Sequence, residues 1–507
     1  DVYKRQVQLR VCLAWVVSML LLLHIGACLM QLKGGEGYSL ARYFTNALRA
    51  SPEKVTGMYG YYGSFANFAA MAGLLCLSLG IWGRFTYGQR LLVFLLGLAA
   101  LGLVVWSQSR SAALSLYPAL GLFIILLYVS AANQSGNVKK WVGKILCSLG
   151  LLGLIAVAIG GLWVFGQRGV KSLAMIFDSG VRVPLWAMAA EQWGDHPWVG
   201  AGSRSFSYEC FRYWSPSLST GERNPEFVHN EYLQLLTDYG LIGLLLIGGL
   251  LLAHLVIGWR QVSKLAGAVG EGGFQRGSNA MALAIAGTCG MMAMAVHICF
   301  DFRTHLLANL LLLVCCVVWV LPLPRTGAES GAKMKGTDLG QNKQRLLLGL
   351  MLLVLGVGAL GLGGQQLWAG LPLLENKMAK EDGAWKPQEV DRKVWIPVLE
   401  ESLARAPQWR RYQRLGTLYR LEATDAKLPG EKEQVLKMAE KAYMASTERH
   451  AFNPVSRINL AAIYTEQKRW QEADAMYASA SDSAKAREGA FGMHTQWAEL
   501  HCAIALS

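Results

Sequence analysis

The chain has 507 residues, is 53% apolar and 16% charged, and carries a formal net charge of +14 with mean hydropathy +0.29. Soluble domains carry about 25% charge, so this composition excludes a disordered chain, a coiled coil or a small disulfide scaffold. It indicates a membrane protein with a soluble appendage. The charge is local: residues 1–370 hold net +13 and residues 371–507 net +1, which fits basic loops on one side of a membrane and argues against a nucleic-acid partner.

The chain begins DVYKRQ, without Met. A truncated reading frame is expected, with further membrane helices upstream. Nine apolar stretches are long enough to span a bilayer: about 11–31, 65–83, 91–107, 112–129, 145–165, 236–258, 280–300, 304–321 and 346–366. Five of the gaps, counting the amino end, share one side. Together they contain 16 basic residues, among them Arg10, Arg84, Arg90 and Lys139, against only Asp1, Glu271, Glu329 and Asp338. That side is expected to be cytoplasmic. The opposite side receives 32–64, the turn 107–111, the loop 166–235, the turn 301–303 and everything after the last helix.

The loop 166–235 is too long for a simple connector. It holds Arg168, Arg182, Arg204, Arg212, Arg223, His196 and His229 among seven acids and four tryptophans. The tryptophans also suit an interfacial aromatic belt. Beyond 370, apolar residues recur at helical spacing between Pro387, Pro397, Pro407, Pro429 and Pro454. In 457–480, Leu460, Ala461, Tyr464, Ala473, Tyr477 and Ala480 occupy consensus places of a tetratricopeptide repeat, and a second unit runs from Leu415, Gly416 and Tyr419 to Ala439 and Tyr443. The expected fold is therefore all-α: a polytopic membrane domain over 1–370 and a soluble helical repeat domain over 371–507. Eight of the ten cysteines lie in apolar stretches and read as small buried hydrophobes. Cys210 and Cys502 fall in polar regions, where a disulfide between them stays open.

No P-loop, HExxH, nucleophile elbow or CxxC zinc pair is present, and no cofactor or metal is expected. What remains is arginine and histidine at the outer membrane face. Arg110 in SQSRSAAL lies between two apolar helices, and Arg182 in SGVRVPLWAMA lies before a Trp-containing stretch. A guanidinium there either snorkels to the interface or offers a planar fork of donors to anionic oxygens. His229 in EFVHNEYLQLL stands where the loop enters the membrane. It serves either structure or proton transfer near neutral pH.

SQSRSAALSL, RVPLWAMAAEQWGDHPWVGAGSRSF and HNEYLQLLTDYGLIGLLL follow in order over about 107–250. In order, spacing and membrane placement they resemble the O-antigen ligase / O-antigen polymerase superfamily of bacterial envelope glycosyltransferases. Hydropathy extends the match to about 60–320. YYGSFANFAAM is similar to a further family segment but has Ala69 and Ala70 where a second polar residue is usual. The resemblance implies a GT-C-like bundle in the bacterial inner membrane with a periplasmic tail. It implies metal-independent, inverting transfer of a glycan from undecaprenyl diphosphate to a hydroxyl of a glycan, lipid or protein acceptor. Arg110 and Arg182 would bind the diphosphate and His229 would act on the acceptor, with Arg168, Arg204, Asn230 and Asp301 as further substrate-binding residues. The tail would engage a protein partner. Polymerase and protein O-oligosaccharyltransferase activities share these motifs, and a lipid-linked glycan transporter or a scaffold displaying repeats are alternatives from other classes. A transporter would bury its ionisable groups near the midplane, whereas these lie in and beside the outer loop.

Overall fold

The computed structural model describes residues 2–32, 55–59, 61–132, 182–213, 225–268, 278–322, 390–451 and 453–484, with short pieces within 365–372, at 387–388 and within 496–501. The expected span 145–165 and all of 346–366 but Gln365, together with Arg168, Arg223 and Cys502, lie outside the described residues. Helices and turns account for the described secondary structure, with no strand among them. The protein is an all-α, multi-pass membrane protein. It forms two compact units: Asp1–Phe206 with Glu222–Thr326, and Ser207–Gly221 with Gly327–Ser507.

In the first unit the helices are α1 (Val2–Leu32), α2 (Tyr62–Trp82), α3 (Tyr87–Trp106), α4 (Arg110–Ala132), α5 (Arg182–Asp195), α7 (Glu231–Ala268), α8 (Asn279–His297) and α9 (Leu307–Val320). The short α6 (Phe206–Glu209) stands at its boundary with the second unit. Six of these are long and apolar enough to cross a membrane: α1, α2, α3, α4, α7 and α8. The stretch 304–321, expected to span, has only 14 residues of α-helix, because Arg303–His305 form a 3-10 turn ahead of it. At about 1.5 Å per residue, that helix falls short of a ~30 Å hydrocarbon core.

Helices α2 and α8 form the centre. Some 94% of the apolar window of α2 is buried, against 6% for α7. Small residues on α2 and α3 make the close packing possible. A Cβ on Gly97 would lie 2.8 Å from the Leu77 backbone nitrogen, and one on Gly80 would lie 2.6 Å from Phe94 Cβ. Membrane helices gain little from solvent exclusion, so close backbone packing carries their association. At one end Ser278 N donates to Trp82 O and Arg84 N to Asn279 Oδ1, while Arg10 Nη1 reaches Leu321 O at 2.7 Å. The other end gathers the starts of α2, α4, α7 and α9 and the end of α8. There Phe65, Ala66, Leu103, Val104, Ala112 and Leu116 share one apolar cluster, which sets the α3–α4 turn beside the start of α2.

The second unit contains α10 (Arg392–Arg405), α11 (Trp409–Asp425), α12 (Pro429–Arg449), α13 (Pro454–Glu466) and α14 (Trp470–Ala484). Pro429 and Pro454 open helices, where a missing N–H costs nothing, whereas Pro397 lies inside α10 rather than between elements. Helices α11 and α12 pair, as do α13 and α14, around Leu415, Leu418, Tyr443, Leu460, Ala461 and Tyr477. Gly416 admits the Tyr443 ring, which a Cβ there would meet at 2.9 Å.

This unit also holds residues 207–213 of the long loop. His450 is 1% exposed and its Nε2 donates to Ser207 O at 3.1 Å. Its ring stacks on Tyr208 at 4.7 Å and meets Phe211 and Trp409 edge-on. Cys210 is fully buried within this contact. Burial brings the His450 pKa down from 6.5 to about 4. The unfolded chain therefore binds a proton at higher pH than the folded one. The contribution is complete above pH 6.5 and is lost as the pH falls through about 4, at most about 3 kcal/mol. His450→Phe should flatten the fall in melting temperature between those pH values relative to the parent, and an unchanged difference would refute this burial. The same variant should speed proteolysis around 207–213.

Candidate functional site

Three chain turns meet at the end of the first unit that gathers the starts of α2, α7 and α9. Helix α7 is capped by Asn230, whose Oδ1 accepts from Tyr232 N at 3.0 Å and Leu233 N at 3.1 Å. Its first residue, Glu231, is 4% exposed and ties α7 to the α8–α9 turn. The Glu231 amide donates to Ile298 O at 2.9 Å. Its Oε1 accepts from Thr304 N at 3.0 Å and from the Thr304 hydroxyl, and lies 3.1 Å from His305 Nδ1.

These bonds hold His229 beside that turn. His229 takes a left-handed backbone, φ 58°, which a non-glycine side chain adopts where its surroundings impose it. Its Nδ1 lies 3.4 Å from Asp301 Oδ1, and its ring meets Phe302 edge-on at 4.8 Å. Phe302 stacks in turn on Phe227 at 4.5 Å. His229 is 27% exposed and Asp301 only 2%, so Asp301 stands behind the histidine. Its other oxygen pairs with Arg303. Arg303 is 1% exposed, donates to Ser64 Oγ at 2.7 Å and lies over the Tyr61 ring at 4.9 Å. Burial lowers its pKa to about 10, which leaves it cationic at neutral pH. The same cause raises that of Tyr61, with Tyr62 adding to it.

Arg182, the half-buried first residue of α5, belongs to the same group: its charge acts on Tyr61, Arg303 and the fully buried His297. No acidic partner of Arg182 is found among the described residues. Arg204 is 55% exposed, pairs with Glu226 at 3.0 Å and lies 5.8 Å from the Phe227 ring, at the edge of the group. Arg110 is half-buried at the start of α4, at the same end of the bundle. No hydrogen bond or ion pair among the described residues joins it to Arg182 or His229. Asn230 spends its side-chain oxygen on the helix cap. Sequence reading missed Arg303, Tyr61, Ser64, His297 and Glu231. Among the described residues no three of His, Cys, Asp and Glu come together as metal ligands.

A backbone staple fixes Arg182 relative to His229. Leu241 N donates to Pro197 O at 2.8 Å and Ile242 N to Trp198 O at 3.1 Å, while Ala201 N and Gly202 N donate to Thr237 O and Asp238 O. Gly200 (φ 70°) and Gly240 (φ 66°) lie where the two backbones touch. A Cβ on Gly240 would sit 2.3 Å from the Trp198 carbonyl carbon, and one on Gly200 2.4 Å from that of Asp238. Side chains extend the staple in both directions. Gln192 of α5 donates to Ser205 Oγ at 2.9 Å, which reaches buried Asp238 of α7 at 3.2 Å. Gln234 donates to that carboxylate and accepts from Val228 N at 3.0 Å, one residue before His229.

Residues 92–248 match the family model for O-antigen ligase. This part of the chain is an O-antigen ligase domain. It contains Arg110, Arg182, Arg204, His229 and the whole staple, and its function is of the cell-envelope glycan ligase or polymerase type. No curated protein matches the chain. Gly240→Ala should lower the stability of the ligase domain by about 2 kcal/mol or more, because both the positive φ and the backbone contact oppose a methyl. A melting curve that coincides with the parent's would refute the staple.

Proposed function

We propose that this O-antigen ligase domain transfers a glycan from undecaprenyl diphosphate to an acceptor hydroxyl at the periplasmic face of the inner membrane, without a metal. The observation that carries the reading is the grouping of Arg182 with the His229–Asp301 pair at one end of the helical bundle. His229 removes the acceptor proton, and the freed oxygen attacks the anomeric carbon. The bond from that carbon to the diphosphate oxygen breaks, with inversion, and the lipid diphosphate leaves. Arg182, with Arg110 at the same end, binds the diphosphate and offsets the charge it gains. Asp301, placed behind His229, orients the imidazole and stabilises its protonated form rather than touching substrate.

The glycan, lipid or protein acceptor would reach His229 from the exposed side of its ring. Arg204, beside Phe227 at the edge of the group, would contact the glycan. Arg10, Arg84 and Arg90 at the opposite end of the bundle support a cytoplasmic placement of that end. The ionisable cluster at the end of the bundle, not its middle, favours transfer over transport. The tail, read as a tetratricopeptide-like domain, would position a protein or acceptor partner.

Transfer measured in reconstituted vesicles with a lipid-diphosphate donor tests the division of labour. His229→Ala should lower turnover ~10²–10⁴-fold and leave donor binding near the parent value. Arg182→Lys should keep part of the activity and Arg182→Ala almost none, with donor binding weakened in both. Parental transfer by His229→Ala, or abolition by chelator, would overturn the mechanism. Reporter fusions at the tail should be active only outside the cytoplasm, and the opposite result would reverse the topology.

A further inference from the structure

We infer that Arg303 is a positioning residue: it holds Asp301 in place against His229 and so controls the histidine from behind, without touching substrate. The inference rests on the reading of His229 as the base. Arg303 is 1% exposed, so no donor or acceptor reaches it. Yet a buried guanidinium is costly unless it is paired and hydrogen-bonded. Its contacts are internal: one oxygen of Asp301, Ser64 Oγ at 2.7 Å, and the faces of Tyr61 at 4.9 Å and Phe302 at 5.5 Å. The guanidinium fork spans two elements at once, Asp301 on the α8–α9 turn and Ser64 in the first turn of α2. A lysine at this position would carry the charge but could not hold both partners in one plane.

The backbone is shaped around this group. A Cβ on Gly63 would lie 2.6 Å from Arg303 Nη2 and 2.9 Å from the Tyr61 ring. The guanidinium is pinned between Asp301 and Ser64, so it cannot yield to a methyl without leaving the carboxylate. Gly63→Ala therefore tests the same contact from α2. Among the described residues, the other ionisable groups around the pair are Tyr61 and Tyr62 before and in α2, Arg182 on α5, Glu231 on α7, His297 on α8 and His305 on the turn. Apart from Asp301, the acid among them is Glu231, and its Oε1 is occupied by Thr304 and His305. Arg303 is thus the group bonded to the side of Asp301 that His229 does not face.

The test is a double-mutant cycle in the full chain, with Asp301→Asn, Arg303→Met and both together, alongside Arg303→Lys and Gly63→Ala. Each single change should lower kcat by about 10- to 100-fold and leave the KM for the lipid-diphosphate donor within about twofold. The double variant should be no worse than the poorer single one, because both remove the same support. Arg303→Lys should restore part of kcat, and it covers the case in which Arg303→Met fails to fold. Additive losses, a raised donor KM with unchanged kcat, or parental kcat in Arg303→Met would overturn the inference while leaving the proposed function standing. If the parent transfers no glycan, that function fails instead. The positioning claim is then decided by the rate at which diethyl pyrocarbonate modifies His229, read by peptide mass. Arg303→Met and Asp301→Asn should change that rate alike, and a parental rate in Arg303→Met would refute the inference.

Discussion

The ion pair between Arg303 and Asp301 is the constraint around which one end of the membrane domain is arranged. Both side chains are at most 2% exposed. Two charges removed from water recover their desolvation cost only with close geometry and further hydrogen bonds. That requirement dictates what stands nearby. Ser64 must offer its hydroxyl, residue 63 must lack a side chain, and Tyr61 must present its ring. The starts of α2 and α9 and the end of α8 are thereby fixed to one another by polar contacts, where apolar packing alone has little orienting power. His229 enters this frame from a fourth element, through the Asn230 cap and the Glu231 links that set the start of α7.

The second device is the staple between the turn 197–202 and the kink of α7 at Gly240. Helix α7 has 38 residues, about 57 Å at 1.5 Å per residue, far more than a bilayer core requires. The kink divides it into a first section that carries the site and a longer section with an apolar, exposed surface. The kink also frees backbone groups that would be expensive in lipid, and the turn 197–202 satisfies them. The loop that carries Arg182 and Arg204 is thus part of how the helix crosses the membrane. A loop held this way can place an arginine to within the tolerance that transition-state stabilisation needs.

The sequence made the helical class and the order of Arg110, Arg182 and His229 legible, because long apolar runs and motif spacing are local signals. Asp301 was visible as an acid in a short outer turn. Arg303, two residues later, read as turn charge, since its burial depends on Gly63 and Ser64, more than 230 positions away. Asn230, next to His229, reads in the sequence as a substrate-binding residue. The same short amide is what a helix start demands, and the cap is where the structure uses it. The stretch 304–321 had the composition of a span, but the polar contacts of Arg303, Thr304 and His305 draw its first residues into a turn. In the tail, proline spacing marked most helix starts. The capture of 207–213 by His450 had no sequence signal, because it joins segments 243 residues apart.

The charge balance of the site bears on what it is built to hold. The described cations near His229 are Arg182, Arg303 and, at the rim, Arg204. Arg303 is matched by Asp301 and Arg204 by Glu226. Arg182 has no such match among the described residues, and it acts on Arg303 as a like charge. A half-buried cation beside another cation lacks part of the compensation that water would give it. A neutral sugar acceptor would not supply that compensation, whereas the proposed diphosphate donor would, and more so as its bond to the glycan broke. On the proposed reading, an anionic donor would therefore supply the negative charge that Arg182 lacks, while Asp301 would stabilise the proton that His229 takes from the acceptor.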